Sequence, residues 1–259
     1  MYKKQIINFD NGLFDSFIDS TYIITMYNST RKFKHQLQKY KPTKKCYIIK
    51  NYGYKNNDKY IGNNKINTSS FDLIHANLYI MRHAIKHNYN RILILEDDFI
   101  MTTKLFDTQI INRISTIIKS NDDISSLFLL GCLPLVSTKY KKFFRKIYNY
   151  GCIHACIYNK KAMNVLLQNK TSLHSTDFIN GFHTFIDLTL TYKEPLIYQT
   201  LPITNNKKTW FHQIPYYLRP FIYYLTNLYI KITRLDKQIE PGTSFFYKIN
   251  KIYDLYDYD

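Results

Sequence analysis

Short apolar runs alternate with helix-period stretches along most of the chain. Thr21–Met26 (TYIITM) and Cys46–Ile49 (CYII) are rich in β-branched and aromatic residues and read as strands. Between them, Asn28, Ser29 and Thr30 offer a loop and a helix cap. Arg31–Tyr40 then sets Phe33, Leu37 and Tyr40 on one side of a basic helix that Pro42 stops. Lys50–Thr68 shows no apolar period and reads as a long, mobile loop. Behind a Ser69-x-x-Asp72 capping box, Phe71, Ile74, Leu78, Met81 and Ile85 form a helix face, and Asn88–Asn90 close it. Ile92–Leu95 has no polar alternation, so it reads as a strand buried on both faces. Strand, helix, strand in this order is the βαβ unit of a parallel sheet.

The second half continues the alternation. Ile110, Ile111, Ile114, Ile117 and Ile118 mark a helix, and Ser126–Cys132 (SLFLLGC) a second buried strand. Lys139–Tyr148 (KYKKFFRKIY) mixes cations with aromatics. It reads as a mobile basic loop or a snorkelling surface helix, or else as a nucleic-acid or phosphate patch. Gly151–Tyr158 reads as a strand, Lys160–Gln168 as a helix, Phe178–Leu190 as a packed helix and Pro195–Pro202 as extended chain. Tyr216–Leu235 is basic, aromatic and roughly helical, suited to core packing or to an interface. No repeat or linker interrupts the chain, which suits a single α/β domain with a helical extension from about residue 211.

Candidate chemistry gathers where the Ile92–Leu95 run meets three carboxylates, Glu96, Asp97 and Asp98. Unpaired charge is expensive to bury, so these acids belong where the strand emerges. In open α/β sheets that C-terminal edge is where ligands bind. Strand alternation would set Glu96 and Asp98 on one face and Asp97 on the other. Such a pair can hold a hard divalent cation, and the cation can hold phosphate oxygens. A solvated acidic turn is the plain alternative.

Composition adds bounds. The 259 residues carry 36 Lys and Arg against 19 Asp and Glu, a net charge of +17. Such a balance suits an anionic partner, yet the crowding of Lys, Asn, Ile and Tyr is also what an AT-rich coding sequence produces. Cys46, Cys132, Cys152 and Cys156 form no C-x-x-C pair and read as reduced thiols of an intracellular protein. No apolar run reaches membrane-spanning length, and the first residues lack a signal-peptide pattern, so a cytoplasmic location is expected.

Five stretches, in order, resemble glycosyltransferase family 25, and particularly its giant-virus relatives. They are YIITMYNSTR, the FDLIHANLYIMRHAIKHNYNRILILEDDF helix and strand, GCIHACIYNKKAMNVLL, FIDLTL, and PLIYQ followed by NNKKTW. Bacterial members carry a Ser-His pair in the helix before the acidic strand, where this chain has Ala76 and Asn77.

The resemblance, which spans roughly residues 21–210, implies a GT-A-type, Rossmann-like fold: a mixed, mostly parallel sheet flanked by helices. It implies an inverting, metal-dependent transfer of a sugar from a nucleoside diphosphate. A uridine donor is expected before a guanosine one. The acceptor would be a glycan, a lipid-linked glycan or a protein hydroxyl. The cofactor implied is manganese, or magnesium, on Asp98. Glu96 would face the ribose, with Asp97 supporting it. Thr25, Arg31, His154 and Gln199 complete the implied nucleotide-sugar contacts. Asp187 and Asp177 are the two candidates for the base, with Asp187 nearer the family's spacing. For a viral chain the location would be host cytoplasm or virion.

Single residues have plain readings too. His154 can be a hydrogen-bonded core residue, and Gln199 can pin a loop. His183 and His212 are further metal-ligand candidates, and Trp210 can stack on a sugar or simply pack. Two rival functions share these features: a basic nucleic-acid-binding protein, which needs a steep salt dependence, and a catalytically dead module that keeps the fold. A metal-dependent nuclease or phosphatase would need more scattered carboxylates than 19 acids readily supply. Peripheral membrane contact is compatible with the charge, and no nucleic-acid-binding motif is present.

Overall fold

A computed structural model of the protein describes residues 1–29, 33–172 and 183–199. The strands are β1 (Tyr2–Asn8), β2 (Ser20–Met26), β3 (Lys45–Asn51), β4 (Tyr60–Ile61), β5 (Asn64–Lys65), β6 (Arg91–Glu96), β7 (Phe99–Met101), β8 (Ser126–Lys141), β9 (Phe144–Asn159), β10 (Leu188–Tyr192) and β11 (Ile197–Gln199). The helices are α1 (Phe33–Tyr40), α2 (Ser69–Lys86), α3 (Thr108–Lys119) and α4 (Lys160–Gln168).

The main sheet has seven strands in the order β1-β3-β2-β6-β9-β10-β8, with β9 also paired to β8. β2, β3 and β6 are mutually parallel; β8 and β10 run the same way, and β1 and β9 run against them. The fold is therefore mixed α/β, with helices on both faces of a large mixed sheet.

Strand alternation makes two cores. Ile23, Ile48, Leu93, Leu95, Phe128 and Ile157 point to one face and pack against Phe33 and Leu37 of α1 and the isoleucines of α3. Tyr22, Tyr47, Ile49, Ile92, Ile94 and Leu127 point to the other and meet α2 and α4. This is why the central strands read as unbroken apolar runs: both sides of the sheet are covered.

Several elements depart from the sequence pattern. The polar leader contains β1, an edge strand whose Lys3, Lys4 and Gln5 are exposed, as edge strands commonly are. The N-cap of α2 is Thr68, whose side chain accepts from the Phe71 N–H; Asp72 is buried instead of closing a capping box. The basic Lys139–Tyr148 stretch is neither loop nor helix but the end of the β8–β9 hairpin. Leu188–Tyr192 (LTLTY) is a strand, not a helix, with Leu188 and Leu190 in the α3-side core and the Thr191 hydroxyl donating to the Leu129 carbonyl at 2.7 Å. The helical extension from 211, with Trp210, His212 and Tyr216–Leu235, lies outside the described residues.

Candidate functional site

The chain leaves β2 through α1 to reach β3 on one side, then crosses by α2 to β6 on the other side. The ends of β2 and β6 are thus a topological switch point, the place where an open α/β sheet leaves a crevice. The acidic residues emerge there. β6 ends at Glu96, Asp97 and Asp98 form a turn, and Phe99 starts β7. The turn breaks the alternation expected for a continuing strand. Asp98 is buried, at 4% exposure, while Glu96 and Asp97 are half-buried.

Asp97 fastens the junction. Its Oδ2 accepts from the Thr25 hydroxyl at 2.6 Å and from the Ser29 hydroxyl at 2.9 Å. The carboxylate therefore joins the end of β6 to the end of β2 and to the loop that follows. Asp97 holds that loop, and Thr25, only 5% exposed, donates its hydroxyl proton to Asp97.

Next to this junction lies a cleft of about 340 Å³, whose walls include Thr25, Tyr27, Ser29, Phe33, Lys34, His35 and Lys50. Tyr27 stacks on Tyr52 with ring centroids 4.3 Å apart and planes 21° apart, and Tyr27 keeps 43% of its surface exposed. Gly53 has φ +81°, which turns the chain leaving β3; a Cβ there would stand 3.0 Å from Met26 Cε. Two hydroxyls, two lysines and one ring of the tyrosine pair, Tyr27, thus line one space, and the Thr25 and Ser29 hydroxyls join it to Asp97.

The PLIYQ segment comes to the same place. β11 pairs antiparallel with β7, which sets the Gln199 backbone opposite Phe99, one residue from Asp98. His154 holds this strand. Its Nε2–H donates to the Ile197 carbonyl at 2.9 Å, in a site that is 5% exposed. Between Gly131↔Ala155 and Leu133↔Gly151, β9 advances four residues while β8 advances two, a bulge that carries His154. Gly131 leaves room for it, because a Cβ there would collide with both His154 Nε2 and the Ile197 carbonyl. Through its Nε2, His154 positions β11.

A second polar cluster lies near the same sheet edge. Lys59 is fully buried, and its Nζ donates to Asn51 Oδ1 at 2.5 Å and Asp72 Oδ1 at 2.6 Å. Burial pushes the Lys59 amine down from its ordinary range, and the Asp72 carboxylate opposes that shift. Lys59, with the buried Ile61 and Ile66, pins part of the loop that the sequence pattern leaves mobile.

Asp187 lies elsewhere. It precedes β10, level with Ser125, where its Oδ2 accepts from the Ser125 N–H at 3.1 Å and the Ser125 hydroxyl at 2.6 Å. The pairings set Ser126 level with Asn159 and Arg91, so Asp187 stands about 20 Å from Glu96 along the strands, at the opposite sheet edge. The structure thus does not bring Asp187, expected as a base, to the acidic turn. His183 is also corrected as a metal-ligand candidate. Its Nδ1 and Nε2 meet the Tyr150 and Tyr158 hydroxyls at 2.5 and 2.6 Å, and burial holds its imidazole down to about 3. Arg31 and Asp177 lie outside the described residues.

The sequence pattern did not single out Lys34, Lys50, Tyr27 or Tyr52, because nothing local in their stretches distinguishes cleft from surface. Ser29 was visible only as a cap, since its partner lies 68 positions away. No protein-family model and no curated protein matches the chain.

Proposed function

We propose that the protein is a metal-dependent, inverting glycosyltransferase with a GT-A-type fold, using a nucleoside-diphosphate sugar, with uridine favoured over guanosine. The observation that carries this reading is the Asp97 junction. It sets an acidic turn and a hydroxyl-bearing loop at the switch point, beside a cleft lined by Lys34, Lys50 and Tyr27, whose ring stacks on Tyr52. The five-segment resemblance to glycosyltransferase family 25 supplies the sugar; geometry alone supports a nucleotide phosphate.

The donor set fits manganese or magnesium. Among the described residues, no three His, Cys, Asp or Glu side chains converge as in a closed metal site. A hard cation that travels with a diphosphate needs only one or two carboxylates, with water and phosphate oxygens completing its shell. Asp98 would hold it, with Glu96 toward the ribose. The cation would neutralise charge on the departing diphosphate. Lys50, on the cleft wall, adds fixed positive charge for the same oxygens. The exposed face of Tyr27 suits the base.

In the transfer, an acceptor hydroxyl oxygen forms a bond to the anomeric carbon as the bond to the diphosphate oxygen breaks. The hydroxyl proton passes to a carboxylate. Asp177 is the candidate base that remains, since Asp187 stands at the other edge.

Calorimetry of uridine diphosphate with and without manganese tests the reading. The unaltered protein is expected to bind it in a manganese-dependent way. Asp98→Asn, nearly isosteric because the site is buried, should weaken that binding by about 10²-fold with the fold intact by circular dichroism. Unchanged manganese-dependent affinity in the folded variant would remove Asp98 from the site. Absence of nucleotide binding by the unaltered protein would overturn the reading.

A further inference from the structure

The end of the β8–β9 hairpin contributes no residue to the lining of the cleft. Its register sets Lys139 directly across from Arg145, and Lys141 and Lys142 continue into the exposed turn. Like charges opposite one another destabilise a hairpin, so this cluster is not explained by folding. Phe143 sits at the tip, half-buried. The Arg113 guanidinium carbon lies 4.0 Å from its ring centre, and the Lys142 and Lys193 ammonium groups lie 5.3 and 5.5 Å away. Tyr192 lies parallel to the same ring at 6.3 Å. Glu194 is engaged by Lys104 and Lys193. Among the described residues, no carboxylate forms an ion pair with Lys139, Lys141 or Lys142.

We propose that this hairpin end docks the protein on an anionic membrane surface, with Lys139, Lys141, Lys142 and Arg113 meeting acidic lipid headgroups. The aromatic ring organises the cations: guanidinium and ammonium groups gather about Phe143 while their charges stay in water. Phe143 is held among cations and against Tyr192, so the contact is at headgroup depth without deep insertion. The same packing disfavours single-stranded nucleic acid, which needs free aromatic faces for base stacking. Juxtaposed cations attract an anionic leaflet within a Debye length, and each contributes about fivefold to partitioning.

Co-sedimentation with phosphatidylcholine vesicles, with and without phosphatidylserine, tests this on the full chain. Binding only to the phosphatidylserine vesicles, and its loss at high salt, is the expected result. Lys141→Gln with Lys142→Gln should reduce partitioning by about 25-fold. Lys3→Gln with Lys86→Gln, exposed lysines elsewhere and the same change in net charge, should reduce it far less. Equal loss in both double variants would replace the hairpin with undirected charge attraction and overturn the proposal. So would failure of the unaltered protein to bind at low salt, or its binding to single-stranded RNA while leaving the vesicles. The readout needs neither nucleotide nor metal, so it stands or fails apart from the transferase reading.

Discussion

The two edges of the central sheet both carry acids, and they use them differently. At the N-terminal edge, carboxylates close the fold on backbone donors. Asp19 takes the N–H groups of Asn90 and Arg91 at 2.6 and 2.8 Å, Asp15 takes those of Gly12 and Lys44 at 2.5 and 2.8 Å, and Asp187 takes that of Ser125 together with the hydroxyl of the same residue. Asn159 does the same, capping α4 through the Ala162 N–H and accepting from the Ser126 N–H. At the C-terminal edge, Asp97 takes the Thr25 and Ser29 hydroxyls, beside a cleft with lysines.

The difference is physical. A backbone N–H that begins a strand must be satisfied whatever the protein does, so an acid there is accounted for by folding. A hydroxyl could be hydrated at little loss. An acid that gathers hydroxyls from a separate loop fixes the position of that loop, which matters where a ligand must fit.

Lys59 is the strongest challenge to dividing the edges this way, because it lies near the C-terminal end of β3 yet is fully buried. Its ammonium joins Asn51 and Asp72 beneath the Tyr2 ring, whose centre is 4.7 Å away. If this cluster is structural, Lys59→Met leaves the Asp72 carboxylate with the Asn51 amide alone as a named partner, at 3.1 Å. Breaking one side of a buried pair costs about 3–5 kcal/mol. Urea unfolding should register that loss, and adding Asp72→Leu should recover part of it. A single variant within about 0.5 kcal/mol of the unaltered protein would mean the charge is not held as described.

Asp187 gives the reciprocal test at the other edge. Asp187→Ala removes acceptors from the Ser125 N–H and hydroxyl, and should lower stability by about 1–2 kcal/mol, as loss of a helix cap does. Donor affinity and turnover should be unchanged. A drop in turnover with unaltered stability would return Asp187 to the chemistry and erase the distinction between the edges.

Much of the framework was legible in the sequence where one force dominated. The runs Ile92–Leu95 and Cys46–Ile49 are apolar on both faces because two helix layers cover them, and α4 follows its periodicity to the residue. Legibility ended where the decisive partner was distant or the pattern mixed. β1 is polar because it is an edge strand, and LTLTY carries both a β pattern and helix-compatible leucines. Which sheet edge Asp187 occupies depends on strand direction, which spacing does not encode. Lys59 reads as one more lysine in a polar loop, and only its three-dimensional neighbours make it a core residue. The acidic turn was found, but the distribution of its work was not. Continued alternation would have paired Glu96 with Asp98, and the turn instead gives Asp97 to the loop and buries Asp98.

The smallest effect is also the most direct probe of the edge comparison. Ser29→Ala deletes one hydroxyl that donates to Asp97 and leaves that of Thr25 in place. The site is only part-buried, so water can replace the lost donor, and global stability should fall by no more than about 1 kcal/mol. The loop after β2 should nevertheless be freer, because the Ser29 hydroxyl ties it to the end of β6. Hydrogen exchange should then quicken at the Ser29 N–H, which bonds the Met26 carbonyl at 2.9 Å, while the β6 amides stay protected. Uridine diphosphate affinity should fall by about threefold to fivefold, the ordering of a short loop having been shifted onto the binding step. Ser29→Thr, which keeps a hydroxyl, should restore most of both. Faster exchange with unchanged affinity would show that the loop is fastened for folding alone, and the C-terminal edge would then use Asp97 in the same way that the N-terminal edge uses Asp187.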